Sequence, residues 1–170
     1  MPVLYKVTMK SQWGPGFGLF VDLNCGWYCQ VAAAKWWAQS LGKKMPDDWK
    51  SFIPYSKRKF GFHPGDEGSD YATRLDKPDS AVAWEAMLMQ HGPAIVSGKL
   101  GAADWGALGG VSHFILIVGA DGARGELSYK DPLQGDKPCT ESFAHLDGRM
   151  DDDVYVIDFN ALAAKLPQKM

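Results

Sequence analysis

The run Phe114-Ile115-Leu116-Ile117-Val118 is the strongest constraint in this chain. Five consecutive apolar residues bounded by turn formers read as a strand buried on both faces. The turn-rich segment Gly119-Ala120-Asp121-Gly122-Ala123-Arg124-Gly125 follows, and residues 126–130 form a return strand, so the region reads as a β-hairpin. A turn centred on Gly122 sets residues equidistant from it opposite one another, and His113 and Asp131 each lie nine residues away. Directly opposed residues have Cβ atoms ~4.5–5.5 Å apart, which lets a carboxylate bond an imidazole N–H. The two-residue period of a strand keeps both side chains on one face.

The rest of the chain supplies helices before strands. Residues 25–41 predict a helix whose wide apolar face holds Ala32, Ala33, Ala34, Trp36, Trp37 and Leu41, with Asp22 or Asn24 as N-cap and Gly42 as C-cap. Residues 80–91 predict a second helix. Asp79 or Ser80 caps it, Gly92-Pro93 stops it, and Ala81, Trp84, Leu88 and His91 share one face. Ala94–Ser97 and Val154–Ile157 read as further strands, and Asp158 as the cap of a last short helix over 159–166. The Gly- and Pro-rich opening reads as an extended arm or short strand with an apolar stretch at 19–21. Residues 43–78 read as loops with one helical turn near 47–52, and 99–110 as a Gly-rich loop around Trp105. Helices first and antiparallel strands later define an α+β fold. The 170 residues suit one domain spanning 1–170.

A thiol completes the set. Cys25 opens the first helix, where backbone N–H groups and the helix dipole favour a thiolate; a neighbouring imidazolium adds to this. Cys29 lies one turn further in, where the amides are already paired, so it reads as packing beneath, and the physics favours Cys25. A helix-start Cys, a strand-start His and an Asp-Pro are each common features alone. Together, in this order, they read as a nucleophile, its base and the group that orients the base.

The totals exclude several alternatives. Net charge is −2 and the pI is about 6.0, with no basic stripe, so nucleic acid is not an expected partner. Ser56-Lys57-Arg58-Lys59 reads as a solvated loop and Asp151-Asp152-Asp153 as a surface turn. Seven Trp read as core and groove-lining aromatics. Three Cys, at 25, 29 and 139, match neither a disulfide framework nor paired zinc-ligand dipeptides, so the thiols read as reduced and no metal or cofactor is expected. His63 and His145 fall in loop-like segments without an evident partner, and Cys139 in a loop after Pro138. No signal h-region and no long apolar run occur, so no membrane association is expected. Export would then need a dedicated machine, unless the chain is a piece of something larger.

Four motifs resemble the papain-like cysteine proteases of bacteria, and most closely the AvrRpt2-like effector family. They are Cys25-Gly26-Trp27-Tyr28-Cys29, His91-Gly92-Pro93-Ala94-Ile95, the strand-start His113, and Asp131-Pro132-Leu133-Gln134-Gly135. The Cys-Gly-x-x-Cys opening also resembles the leader-trimming peptidase domains of bacteriocin export. Both resemblances imply that Cys25 is the nucleophile, and the effector family implies His113 as base and Asp131 as its orienter. The effector resemblance implies a papain-like fold and a cysteine endopeptidase exported as an effector or toxin. It would act in the cytosol of a target cell on a specific protein, and a cognate immunity or inhibitor protein would be its other partner. The family usually carries a Gln six residues before the nucleophile to help hold the oxyanion; here that position is Leu19. Asn24, Gln12 or a backbone N–H at the helix start are the candidate replacements, and losing one such donor costs about 10²–10³ in rate. Alternative readings are an amidase, deamidase or transglutaminase using the same chemistry, a leader-trimming peptidase, and a non-catalytic binding module on the same scaffold. Thiol redox through Cys25 and Cys29 fits less well, because their spacing exceeds Cys-x-x-Cys by one residue.

Overall fold

A computed structural model describes residues 2–9, 25–43, 72–100, 112–158, 160 and 161. Its elements are β1 (Val3–Leu4), α1 (Cys25–Ser40), β2 (Ala72–Asp76), α2 (Ala81–His91), β3 (Ala94–Lys99), β4 (Ser112–Asp121), β5 (Glu126–Lys130), β6 (Cys139–Ser142), α3 (Phe143–Asp147) and β7 (Met150–Ile157). The seven strands form one antiparallel sheet in the order β2-β7-β3-β4-β5-β6, with β1 paired to β4. The fold is α+β.

Strand β4 organises the core because both of its faces are buried. Phe114, Leu116 and Val118 join Ile95 of β3 beneath α1, where Cys29, Ala32, Ala33, Ala34 and Ala38 pack against them. Ile115 and Ile117 join Ala94 and Val96 on the opposite face, beneath Trp84 and Leu88 of α2. Each fully buried Leu or Ile contributes about 1.5–3 kcal/mol relative to exposure, so this double layer is the main source of stability. The alanine-rich face of α1 lets its backbone approach the sheet closely.

Local chemistry sets the helix ends. Ser80 Oγ accepts the Ala83 N–H at 3.0 Å, capping α2. Gly92 ends it with φ +77, and a Cβ there would fall 2.8 Å from the Trp37 ring. Gly42, at φ +65, ends α1, and the Lys43 N–H reaches back to Ala38 O at 2.8 Å. Asp158 Oδ1 accepts the Ala161 N–H at 3.2 Å, as expected of a cap.

Five expectations are corrected. The hairpin turn occupies residues 122–125, and β4 extends through Asp121, so the turn centre lies beyond Gly122. Leu116 opposes Lys130 and Ile117 opposes Tyr129, with a bulge before Gly119 opposite Ser128. His113 and Asp131 are therefore not ladder partners, and β5 ends one residue before Asp131. Asp151, Asp152 and Asp153 lie in β7, where Arg74 Nε meets Asp153 Oδ1 at 2.7 Å and Ser97 Oγ donates to Asp151 Oδ2 at 2.8 Å. Segment 43–78 contains the edge strand β2, because β7 offers its backbone as a partner. Cys139 opens β6, opposite Tyr129, rather than lying in a loop, and His145 lies on α3 with its Nδ1 3.3 Å from Glu141 Oε2.

Among the described residues no group of His, Cys, Asp and Glu is arranged to hold a metal. No described helix is long and apolar enough to cross a membrane. The apolar stretch 19–21, the expected turn near 47–52, the cluster 56–59, His63, residues 101–110 of the expected loop with Trp105, and most of 159–166 lie outside the described residues.

Candidate active site

His113 is the second residue of β4, and Asp131 follows the last residue of β5. Both side chains are sealed from solvent, at 4% and 1% exposure. His113 Nε2 and Asp131 Oδ1 are 2.7 Å apart. A carboxylate only accepts, so Nε2 carries the hydrogen and donates it. Nδ1 is then the ring nitrogen through which this imidazole can act as a base.

The contact arises from the chain's path after β5. Asp131 O accepts the Gln134 N–H at 2.8 Å, and Asp131 Oδ1 accepts the Leu133 N–H at 2.8 Å. The latter is an Asx turn, which fixes the carboxylate by bonding it to its own backbone two residues on. Gly135, at φ +62, closes the turn in a conformation that disfavours other residues. Oδ1 thus holds two donors, the compensation a carboxylate needs when it is buried beside an imidazole. Leu133 packs into the interior and anchors the turn.

The first helix ends beside Val118, five residues along β4 from His113. Trp36 stacks on Tyr5 with ring centroids 4.5 Å apart, and the Tyr5 N–H bonds Val118 O at 2.8 Å, so Trp36 is level with Val118. Trp37 lies against Gly92, just before β3 begins opposite Ile117. From there α1 runs back over β4 toward Phe114. α1 thus packs over the face of β4 that carries Phe114, Leu116 and Val118, and Cys25 is its first residue. The Cys25 side chain, and Asn24, Asp22, Leu19 and Gln12, lie outside the described residues.

The other two thiols sit in different surroundings. Cys29 is fully buried in the cluster beneath α1. Cys139 is half-buried, and burial first, then the Asp131 charge, pushes its thiol pKa up. Tyr129, beside it, donates its hydroxyl to Glu141 Oε1 at 2.7 Å; burial and that carboxylate push the phenol well above its ordinary range. Glu141 also takes Arg149 Nη2 at 2.6 Å.

Sequence reasoning assigned no role to Lys130 and Asp136, which close the Asp131 turn. Lys130 Nζ donates to Asp136 O at 2.6 Å and to Asp136 Oδ1 at 3.1 Å. The available signal was a Lys and an Asp flanking the Asp-Pro-x-Gln-Gly segment, with charges able to meet only if that segment turns back on itself.

No protein-family model matches the chain, and no curated protein matches it.

Proposed function

We propose that this protein is a papain-like cysteine hydrolase with endopeptidase activity, using Cys25 as nucleophile, His113 as base and Asp131 as the group that orients the base. The observation that carries this reading is the buried 2.7 Å contact between His113 Nε2 and Asp131 Oδ1. A buried imidazole held through one nitrogen by a carboxylate is costly as a purely structural device, and hydrophobic residues would fill the space at less expense. It is suited to a base whose charge must appear and be stabilised during reaction.

In this mechanism His113 Nδ1 takes the Cys25 proton, and Asp131 stabilises the imidazolium. The thiolate attacks an amide carbonyl, forming the C–S bond of a tetrahedral intermediate. His113 returns the proton to the leaving amine as the C–N bond breaks. Water, deprotonated by His113, then hydrolyses the thioester and restores the thiol. Backbone N–H groups at the start of α1 are candidates to hold the oxyanion, since a helix N-terminus favours negative charge. The biological setting is proposed on the motif resemblance: a bacterial effector or toxin exported to act on a protein in a target cell, with an immunity protein as a cleft-covering inhibitor.

The test incubates wild type and Cys25→Ala with a denatured protein mixture and sequences the new N-termini. Cleavage sites made by wild type alone are expected. Ammonia release without new N-termini would replace the endopeptidase by a deamidase or transglutaminase. Neither product, together with slow Cys25 alkylation below pH 8, would leave a non-catalytic scaffold.

A further inference from the structure

We propose that Asp136 is a positioning residue, a clamp that joins the turn carrying Asp131 to the N-terminal segment packed on α1. Its consequence for catalysis rests on the hydrolase reading above.

The connections run through three groups. Asp136 Oδ1 accepts the Met9 N–H at 3.0 Å, a bond spanning 127 residues of sequence. The Met9 side chain is buried in the cluster that holds Cys29, Ala32 and Ala33 of α1 and Phe114 of β4. Lys130 Nζ reaches across the turn to Asp136 O and Oδ1. Lys130 is the residue before Asp131, and it opposes Leu116, three residues along β4 from His113. One carboxylate therefore links the strand end bearing Asp131 to a segment packed on the helix that bears Cys25.

The N-terminal segment is held at both ends. At one end Tyr5 is held twice, by its N–H on Val118 O and by its hydroxyl on Leu88 O at 2.6 Å. Val7 and Met9 point inward while Lys6 and Thr8 are exposed. At the other end the Asp136 carboxylate receives the Met9 N–H. Asp136 itself is 61% exposed while Lys130 is only 14% exposed, so the carboxylate pins fixed groups from the outside and fills no core volume. The Met9 bond, and after it Lys130, hold its carboxyl below the usual range, in keeping with a charged acceptor at this knot.

An exposed ion pair without a positioning role would contribute little and leave the chemistry of Cys25 unchanged. The experiment compares wild type, Asp136→Ala and Asp136→Asn by two readouts, with His113→Ala as the control for labelling. One is the iodoacetamide alkylation rate at Cys25 from pH 5 to 9; the other is amide hydrogen exchange at Leu133 and Gln134. Asp136→Ala should label about tenfold more slowly at pH 6, the scale of effect a sub-ångström misplacement produces. Its Leu133 and Gln134 amides should exchange about tenfold faster. Asp136→Asn keeps an oxygen for the Met9 N–H and should stay within about threefold of wild type in both. Wild-type profiles from Asp136→Ala in both readouts would overturn the clamp. If wild type shows no His113-dependent labelling at pH 6, the hydrolase reading fails. Exchange alone then decides: faster in Asp136→Ala supports the clamp, unchanged overturns it. Should Asp136→Ala not fold, Lys130→Met retains the apolar stem, removes only the ammonium, and is expected to behave likewise.

Discussion

His113 and Asp131 meet at 2.7 Å although the β4–β5 ladder does not pair them. The last rung of that ladder joins Leu116 to Lys130, so continuing it would carry His113 past Asp131 to the turn residues beyond. Asp131 comes back to the imidazole because it opens an Asx turn that points its carboxylate toward β4. The pair is thus a product of the turn's geometry, and substitutions in the turn bear on it as directly as substitutions in the strands.

Asp131→Ala should cost about 3 kcal/mol of stability, because it strands the His113 and Leu133 N–H groups in the interior. Asp131→Asn keeps an acceptor and should cost less, while lowering hydrolase activity on the order of 10³-fold through the lost charge and altered imidazole tautomer. Urea unfolding of both variants checks the first part. A loss below ~0.5 kcal/mol for Asp131→Ala would mean that the buried pair does not form in solution.

The three thiols should differ sharply in reactivity. At pH 7 iodoacetamide is expected to leave Cys29 unlabelled, since it is fully buried, and to label Cys139 slowly, since burial and the nearby Asp131 charge raise its pKa. Cys25 should react fast down to pH 6 and lose that advantage in His113→Ala. Mass mapping of the label separates the sites, and Cys139 reacting first would contradict the surroundings described.

Gly98 stands opposite His113 on β3, and a Cβ built there would overlap the Arg149 carbonyl oxygen. Backbone cannot yield as a flexible side chain does. Gly98→Ala should therefore destabilise by about 2–3 kcal/mol and shift β3 beside the histidine, reducing activity as well. Equal unfolding midpoints for variant and wild type would show that β7 can move aside without cost.

Asp136 gives a pH signature with a definite sign. Its folded pKa lies below its unfolded value of about 3.9, chiefly through the Met9 N–H and then Lys130. A depressed carboxyl contributes stability that is complete above the unfolded value and lost as pH falls through the folded one. The stability gap between wild type and Asp136→Asn should be constant from pH 8 to pH 5 and close below about pH 4. A gap that widens in acid would reverse the assignment.

Much of the scaffold follows from local pattern. Ser80 before Ala81–His91 with Gly92 after it, Gly42 after the alanine-rich run, and the apolar stretch around Leu116 carry their structure in short-range chemistry, and β4 and both long helices arise there. The edge strands do not. Ala72–Asp76 and Cys139–Ser142 have polar, exposed residues and no apolar alternation that marks a strand. Met150–Asp153 carries three acids into β7 for the same reason. Each becomes a strand because a neighbouring backbone offers unpaired N–H and C=O groups, and for β2 and β7 that partner is remote in sequence.

The same division runs through the candidate site. The residue types and their order, Cys25, His113 and Asp131, are legible in the sequence alone, because thiolate chemistry needs a helix start and an imidazole needs a carboxylate. The symmetry about Gly122 suggested the correct pair through an incorrect register. Only the tertiary structure supplied the actual route, by ending β5 at Lys130 and bending residues 131–136 back on themselves. It alone brought Met9 to Asp136, since a bond across 127 residues depends on how two distant segments pack and leaves no periodic trace in either.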